Sequence, residues 1–419
     1  MRAPGREIEL RWGRGTVPCP VEEGWDVLLP PAGEAAGEAE ELFLAAAGEP
    51  AGCAPLADML EGARTVTVVV SDATRKTGFH RYSHLLRKLI EDAGARDVRT
   101  LVAVGTHRPP TAEEVRAITG PGWFEEGVEA HDCDASPFAA LGVTSRGTPV
   151  EVNRAAVECD LLVLTGEAKY HYFAGFGGGR KAVLPGVSSR ASITANHSLS
   201  FLGPEAENAA LGRLEGNPVH EDMDEALEML PVPVFLVNAI TAADGRVLEV
   251  HAGDAREAFL AACEAVRRRF DAPIPRRYRT VIASAGGYPA DINPTQSHKS
   301  FDFASRALEE GGTLVLAAAM PDEGGLSTLA EWLALPDRRE HVRRMEESFT
   351  IGGRTALAWR DKLERAGEVW LVSSLDERAT ASLGMRKARS VAEALERAAV
   401  RPPVAVMPFA SLTNPVVRA

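Results

Sequence analysis

The sequence predicts an α/β protein of two domains, each built on a mainly parallel sheet. The chain has 419 residues, more than one ordinary hydrophobic core organises. Short apolar, β-branched runs alternate with segments of helical spacing, which is typical of parallel strands covered by helices. This rhythm restarts after residues 271–280, so we predict domains at 1–270 and 271–419. The last ~15 residues could return to the first domain.

The elements of the first domain follow from this periodicity. "EIELRWG" predicts an alternating strand near the N-terminus, and residues 32–50 predict a helix with a loop. Thr111 and Glu114 have capping-box spacing, which predicts a helix start. The remaining strands are predicted at 64–72, 98–108, 159–171 and 232–241, and the helices at 82–94, 111–118, 192–200, 216–230 and 255–270.

The second domain shows the same alternation after a break. "DAPIPRRYRT" (271–280) holds two prolines and three arginines, and we interpret it as a linker. Strands are predicted at 280–287, 313–320, 368–375 and 403–409, with a helix at 297–312. Strands that alternate with helices predict that ligands bind at the carboxyl ends of the strands. We therefore expect an active site in the cleft between the domains.

Composition excludes several classes of protein. The net charge of −13 disfavours nucleic-acid binding, which needs a basic face. The N-terminus lacks the apolar run of a signal peptide, and no stretch reaches the ~18 apolar residues of a membrane span, so a cytoplasmic protein is predicted. The cysteines form no CxxC pair and predict neither a zinc knuckle nor a disulfide framework; they are Cys19, Cys53, Cys133, Cys159 and Cys263.

Polar residues of unusual character follow four predicted strands. The segments are "SDATR" (71–75), "GTHR" (105–108), "KYHYFAGFGGGRK" (169–181) and "GGYPADINPTQSHK" (286–299). Folding does not require such residues at four strand ends. Their shared position therefore predicts one functional site.

The glycine-rich segment fails both standard nucleotide motifs. A P-loop needs Ser or Thr after its lysine, but Ala182 follows Lys181. The dinucleotide fingerprint needs a final glycine where Arg180 stands. Consecutive glycines still let backbone amides approach an anion, and Lys181 and Arg180 would add charge. A bound phosphate or nucleotide-like cofactor therefore stays open.

Three of the ten histidines differ from the rest. His107 and His171 follow strands, and His197 lies 16 residues after Lys181. Their spacing fits neither HExxH nor a zinc cluster, so acid–base chemistry and metal binding both stay open. The other histidines lie in polar or helical segments and are interpreted as solvated or capping residues; they include His80, His84, His131, His220, His251 and His341.

In these segments the sequence resembles the nickel-dependent lactate racemase family, whose wider group includes 2-hydroxyacid racemases and epimerases. The resemblance also includes Asn196-His197 and Trp359 and extends over roughly residues 70–360. It implies a nickel-pincer nucleotide attached covalently to Lys181, with His197 as the protein ligand to nickel. It further implies that His107 and His171 act as general bases on opposite sides of the substrate.

The resemblance also implies roles for the surrounding residues. Arg75, Gln296 and Lys299 match residues that hold the substrate carboxylate, and Trp359 matches a residue of the pocket wall. We infer less directly that Asp72, Thr74 and the loop Gly177, Gly178 and Gly179 seat the ribose and phosphate of the cofactor. The family's tyrosine before the glutamine is Thr295 here. A smaller side chain there favours a longer or more polar 2-hydroxyacid than lactate.

The chemistry of the implied reaction is consistent with these residue types. Removing the α-hydrogen of a 2-hydroxycarboxylate as a proton would create a dianion, whereas its transfer as a hydride avoids this. Two bases serve the two positions of the hydroxyl group, and a guanidinium suits a planar carboxylate. A non-catalytic binder or sensor on the same fold and an NAD-dependent hydroxyacid dehydrogenase are the alternatives. The implied partners are a 2-hydroxycarboxylate and the enzymes that mature the cofactor.

Overall fold

The computed structural model describes residues 6–30, 33–75, 77–123, 127–242, 244–398 and 400–418. The chain forms two compact units. The central unit comprises Gly33–Arg267, and the terminal unit comprises Met1–Ala32 together with Arg268–Ala419. Among the described residues, no helix is both long and apolar enough to cross a membrane.

The strands and helices are numbered in chain order. The strands are β1 Arg6–Trp12, β2 Gly15–Val21, β3 Asp26–Val27, β4 Thr65–Ser71, β5 Asp97–Ala103, β6 Val128–Ala130, β7 Phe138–Val143, β8 Pro149–Asn153, β9 Leu161–Glu167, β10 Tyr170–His171, β11 Gly175–Phe176, β12 Val234–Thr241, β13 Val247–Gly253, β14 Asp271–Ile274, β15 Tyr278–Ser284, β16 Leu308–Ala317, β17 Glu368–Val372, β18 Arg386–Ala388, β19 Val404–Met407 and β20 Asn414–Val417. The helices are α1 Ala39–Gly48, α2 Leu56–Leu60, α3 Ser83–Asp92, α4 Ala112–Thr119, α5 Arg190–Ser198, α6 Pro218–Glu228, α7 Glu257–Phe270, α8 Pro294–Ala307, α9 Leu326–Leu333, α10 Arg338–Glu347, α11 Ile351–Arg365, α12 Glu377–Ser382 and α13 Val391–Arg397.

The central unit contains a six-stranded sheet in the order β13-β12-β9-β4-β5-β6. Its strands are parallel except for β13, which is antiparallel to β12. The order reverses between β4 and β9, so the loops after these strands leave the sheet on either side of a topological switch point. Open α/β sheets bind ligands at such points.

The terminal unit contains a second six-stranded sheet, entirely parallel, in the order β18-β17-β16-β15-β19-β3. Here the order reverses between β15 and β19. The loop after β15 leads into α8, which carries Gln296 and Lys299. The predicted fold class, α/β with mainly parallel sheets, is confirmed.

Apolar strand residues form a core in each unit, as the β-branched runs predicted. The core of the central unit packs strand valines against aromatic side chains; its members include Phe43, Val68, Val70, Phe79, Val163 and Phe235. The core of the terminal unit includes Leu10, Ile282, Val315, Trp370 and Val406. The predicted capping box at α4 is confirmed, because Thr111 and Glu114 exchange backbone and side-chain hydrogen bonds.

The predicted domain 1–270 included the N-terminal residues, but in the structure these residues group with the terminal unit. Strand β3 pairs with β19, the hydroxyl of Ser284 donates to the carbonyl of Arg11, and the amide of Gly13 donates to Asp291 Oδ2 over 2.7 Å. These bonds attach residues 6–27 to the terminal sheet. The final strand β20 pairs with β14, so the last residues also stay in the terminal unit.

Two local predictions differ from the structure. The predicted linker contains β14 and the start of β15. Pro273 is tolerated within β14 because this strand belongs to a two-stranded sheet. The predicted helix 297–312 ends at Ala307, and β16 begins at Leu308. The pairing of Leu308 with Tyr278 overrides the helix propensity of the following glutamates.

Candidate active site

The loops after β4 and β5 are joined through a carboxylate–imidazole pair. His107 Nδ1 lies 2.8 Å from Asp72 Oδ2. The second oxygen of Asp72 accepts the amide of Thr74 over 2.7 Å and also the Thr74 hydroxyl. Because a carboxylate accepts hydrogen bonds, His107 donates from Nδ1, and its neutral ring carries the lone pair on Nε2. Asp72 therefore fixes the tautomer of the first predicted base.

The pKa of Asp72 reflects opposing effects. Burial alone would raise the pKa of this carboxyl, whose side chain is 9% exposed. The hydrogen bond from His107 and the charge of Arg75, with the bond from Thr74, outweigh it and hold the pKa well below its usual range. Asp72 is thus a carboxylate at neutral pH. Its partner His107 is 45% exposed and so open to a reactant.

A tight hairpin presents the second predicted base. Strands β10 and β11 pair antiparallel, with His171 opposite Gly175. The amide of Ala174 in the turn donates to His171 Nδ1 over 3.2 Å. Nδ1 is therefore an acceptor, and the neutral ring carries its proton on Nε2. His171 rests in the tautomer opposite to that of His107.

The ring of Phe173, in the same turn, contacts three predicted site residues. His171 and His197 meet it edge to face, with ring centroids 4.6 and 5.0 Å away. Lys181 Nζ lies 5.6 Å from its centroid. One aromatic ring thus brings together the predicted base, the predicted metal ligand and the predicted anchor of the cofactor. Sequence reasoning did not identify Phe173, because an apolar residue in a turn gives no chemical signal.

The charge of Arg75 acts on two members of the group around Phe173, Lys181 and His171. Burial, followed by the charges of Arg180 and Arg75, holds the pKa of the Lys181 amine well below its usual range. Burial, followed by the charges of Lys181 and Arg75, likewise holds the pKa of His171 well below its usual value. Lys181 therefore has an unusually large neutral, nucleophilic fraction near pH 7. Clustered perturbed groups are typical of functional sites.

The orientation of His197 is set by a buried relay. Its Nδ1 lies 3.1 Å from Asn196 Oδ1. Asn196 donates from Nδ2 to Asp222 Oδ2 over 2.8 Å and to the carbonyl of Val219 over 3.1 Å. The amide oxygen is thereby turned toward His197, so Nδ1 is the donor and the neutral ring carries its lone pair on Nε2. This is the tautomer of a metal-binding imidazole fixed by its neighbours.

Asp222 holds Asn196, which orients His197, and we expect the loss of Asp222 to lower the stability of the fold. It is fully buried and accepts from the Thr144 hydroxyl, from the Thr148 hydroxyl over 2.8 Å and from Asn196. Asp222→Ala leaves three donors without this acceptor and should lower the free energy of unfolding by about 3 kcal/mol or more. Urea denaturation measures the loss.

Glu225→Ala is the matched control for Asp222→Ala. Glu225 binds the same 144–148 turn from its exposed side, through the amide and hydroxyl of Ser145. Its removal should cost less than about 1 kcal/mol. Equal losses of stability in the two variants would contradict the anchoring role of Asp222.

Two glycines of the loop are required by close packing. Gly178 and Gly179 have φ of +82° and +55°, a region that favours glycine. A Cβ at Gly178 would lie 2.7 Å from Asn238 Oδ1, and one at Gly179 would lie 2.6 Å from the ring of Phe259. At Gly177 a Cβ would make only ordinary contacts. Packing thus accounts for two of the glycines, and the predicted role of all three in cofactor binding stays a prediction, as it does for Asp72 and Thr74.

The sequence position of Arg180 suggested an exposed charge for an anion, but the structure does not place the guanidinium at the surface. The guanidinium is fully buried, lies 4.2 Å from the centroid of Phe259 and donates from Nη2 to the carbonyl of Ala174 over 2.7 Å. Its Nε lies 3.7 Å from Asp224 Oδ1. The side chain points into the interior because the glycine loop packs against α7 through Phe259.

In the terminal unit, two predicted carboxylate-binding residues are adjacent on the first turns of α8. Asn293 caps the helix by accepting from the amide of Gln296 over 2.9 Å. Lys299 Nζ donates to Gln296 Oε1 over 2.8 Å. The three-residue spacing places both side chains on one face of the helix. The structure thus pairs Gln296 with Lys299, and their contact with substrate stays a prediction.

Trp359 and His298 lie in the interior of the terminal unit. Trp359 is fully buried, and its indole donates to the carbonyl of Leu383 over 2.9 Å. Its ring stacks on His298 with centroids 6.0 Å apart. His298 Nε2 lies 3.3 Å from Lys362 Nζ, which also pairs with Asp302 over 2.8 Å. These contacts give both residues packing roles, and the predicted contact of Trp359 with substrate stays a prediction.

Other polar groups are explained by local structure. Within the described ranges, the one group of three potential metal ligands is Asp132, Cys133 and Asp134, where Arg190 binds both oxygens of Asp134 over 2.6 Å. His131 and His341 are buried rather than solvated as interpreted, and each Nε2 lies 2.9 Å from a backbone carbonyl oxygen. None of these residues joins the site around Phe173.

Comparisons with known proteins found two family models that match this chain. Residues 12–209 match the lactate racemase N-terminal domain family, and residues 276–402 match the lactate racemase C-terminal domain family. Lactate racemase from Thermoanaerobacterium thermosaccharolyticum is 33% identical over 296 residues, which cover 70% of this chain and 68% of that protein. Lactate racemase from Lactiplantibacillus plantarum is 34% identical over 279 residues, 66% of this chain and 65% of that protein.

Solved structures show the same relationship. The lactate racemase apoprotein from T. thermosaccharolyticum matches with a TM-score of 0.87 and 28% identity, over 99% of this chain and 100% of that one. A protein from Thermotoga maritima matches with a TM-score of 0.68 and 18% identity, over 87% of this chain and 96% of that one, and shows the fold alone. The chain belongs to the lactate racemase family.

Proposed function

We propose that this protein is an isomerase that inverts the C2 centre of a 2-hydroxycarboxylic acid, as a racemase or epimerase. The observation that carries the proposal is the grouping of His171, His197 and Lys181 around Phe173. An acid–base imidazole, an imidazole that can bind a metal and an amine of lowered pKa can serve different steps of one reaction. Family membership supports the same activity.

The residues present fit the nickel-pincer nucleotide that the family implies. The lowered pKa of Lys181 suits an amine that must form a covalent bond. The relay from Asp222 through Asn196 leaves His197 in the tautomer with its lone pair on Nε2, and imidazole is a good ligand for nickel. When bound, the cofactor would supply the acceptor for the α-hydrogen. The enzymes that mature it are the proposed protein partners.

The two bases would handle the hydroxyl proton of the substrate. His107 can accept that proton at Nε2, and Asp72 then stabilises the imidazolium through Nδ1. His171 can donate its Nε2 proton to an oxygen on the other side of the reacting carbon, while the proton taken up by His107 returns through solvent to His171, so that both rings end neutral. The conversion of the other isomer runs the same proton transfers in reverse, with His171 accepting the hydroxyl proton at Nε2. Because the hydroxyl group occupies opposite sides in the two isomers, one histidine serves each isomer.

The carboxylate of the substrate needs cationic partners. Arg75 is the proposed guanidinium, because its charge acts on both Lys181 and His171. Gln296 and Lys299, which are hydrogen-bonded to each other in the terminal unit, are the further proposed substrate-binding residues. Thr295 packs against Gly325: a Cβ added at Gly325 would lie 2.2 Å from the hydroxyl oxygen of Thr295. The small side chain at this position favours a substrate that is longer or more polar than lactate.

The proposal is tested with protein co-produced with the cofactor-maturation enzymes. Single isomers of lactate, malate, 2-hydroxyglutarate, phenyllactate and sugar acids are incubated with it and separated on a chiral column. We expect one class to approach equilibrium between its two C2 configurations. Retention of configuration by every substrate, with protein whose mass shows the cofactor attached, would contradict a racemase of this class.

A further inference from the structure

A buried charged group lies behind the His171 hairpin, and the proposed reaction does not use it. It consists of Arg180, Asp224 and His220. The ring of Phe259 lies 4.2 Å from the Arg180 guanidinium and 6.0 Å from the His220 ring. Arg180 Nε lies 3.7 Å from Asp224 Oδ1, and His220 Nε2 lies 3.4 Å from Asp224 Oδ2. Burying a guanidinium is costly, and its Nε and Nη1 make no hydrogen bond to any residue in the described ranges. The site should gain something that offsets this cost.

The hydrogen bond that the guanidinium makes within the described residues indicates what offsets this cost. Nη2 donates to the carbonyl of Ala174 over 2.7 Å. The amide of the same residue donates to His171 Nδ1 over 3.2 Å. Ala174 therefore connects the buried charge on one side with the imidazole on the other. Asn217 steadies the preceding peptide by donating to the carbonyl of Phe173 over 2.9 Å.

We propose that Arg180 is a positioning residue that acts through Ala174 to hold the His171 imidazole with its proton on Nε2. This inference rests on the proposed function, because it concerns one of the two proposed bases. His107 is held in the opposite tautomer by Asp72. The two histidines are thus set differently at rest: His107 accepts a proton at Nε2, and His171 offers one there.

The first test uses the protein without cofactor. Nitrogen-15 NMR of histidine-labelled protein reports which ring nitrogen carries the proton, and His171→Gln assigns the resonances. We expect the proton on Nε2 of His171 and on Nδ1 of His107. A proton on Nδ1 of His171 in the wild type would overturn the proposal.

The second test measures how firmly Ala174 is held. Arg180→Met should increase amide hydrogen exchange at Ala174 about 10-fold, the effect of losing one hydrogen bond of about 1.4 kcal/mol. Arg180→Lys retains a donor and should restore part of the protection. Arg267→Met is the matched control, because Arg267 lies 4.9 Å from the ring of Phe176 in the same hairpin but donates to Gly212. Equal exchange at Ala174 in the Arg180→Met and Arg267→Met proteins would overturn the proposal.

Folding is controlled separately, because Arg180→Met leaves the Asp224 carboxylate without its counter-charge. The double variant Arg180→Met/Asp224→Asn removes both charges, and Asp224→Asn alone retains the bond from Arg180 to Ala174. We expect faster exchange at Ala174 in the double variant and wild-type exchange in Asp224→Asn. Wild-type exchange in the double variant would overturn the proposal even if Arg180→Met does not fold.

Activity supplies an independent readout with the holoenzyme. Arg180→Met should lower kcat about 10-fold or more, with KM and the mass of the attached cofactor unchanged. Unchanged kcat together with faster exchange at Ala174 would overturn the positioning role. An inactive wild-type holoenzyme would instead contradict the proposed function, while the NMR and exchange results would still decide how Arg180 acts on His171.

Discussion

Lys181→Ala is expected to abolish covalent attachment of the cofactor and, with it, racemase activity. The substitution removes the Lys181 amine, which lies 5.6 Å from the centroid of Phe173, a ring that also contacts His171 and His197. Burial and the neighbouring arginines hold the pKa of this amine well below its usual range, which favours its reaction as a nucleophile over that of an ordinary lysine. Intact-mass measurement of protein co-produced with the maturation enzymes should show an addition in the wild type and none in the variant.

Lys169→Ala is the matched control for Lys181→Ala. Lys169 lies in the same glycine-rich segment but forms an ion pair with Glu167. Because the Lys169 amine is held by this carboxylate and lies outside the group around Phe173, its variant should keep the full mass addition. A mass addition that persists in Lys181→Ala and disappears in Lys169→Ala would contradict attachment at Lys181 and assign it to Lys169.

His107→Ala and His171→Ala are each expected to lower kcat by about two to four orders of magnitude, the usual contribution of a general acid or base. Each variant should still carry the cofactor, because neither ring is the proposed anchor or metal ligand. The measurement is the initial rate of inversion of each isomer, with intact mass on the same samples. His84→Ala, at an exposed position in α3, should have wild-type rates. Full activity in both site variants would contradict the two-base assignment.

The sheets could be predicted because their signal is local. Buried β-branched runs such as Thr65–Ser71 and Leu161–Glu167 are typical of parallel strands, and parallel sheets bind ligands where these strands end. This reasoning located the segments of His107, His171 and Lys181. It did not assign Met1–Ala32 to the terminal unit, because strand pairing between distant parts of a chain leaves no periodic signal.

The supporting residues of the site could not be predicted for a related reason. Asn196 and Asp222 lie on different helices, 26 residues apart in the chain, and only the fold joins them. Arg180 beside Lys181 suggested an anion site, but side-chain direction depends on the packing of the loop against Phe259. The residue types indicated the chemistry of the site, whereas the fold determines which neighbours orient each side chain.

The most direct test of the proposed reaction is to invert a single isomer of the substrate in deuterium oxide and to analyse C2 by NMR or mass spectrometry. His107 and His171 are assigned to the hydroxyl proton, so the α-hydrogen should not exchange with solvent. We expect both isomers to retain protium at C2 after inversion. Deuterium at C2 of the inverted product would show that a base removes the α-hydrogen as a proton, and it would contradict the assignment of the two histidines.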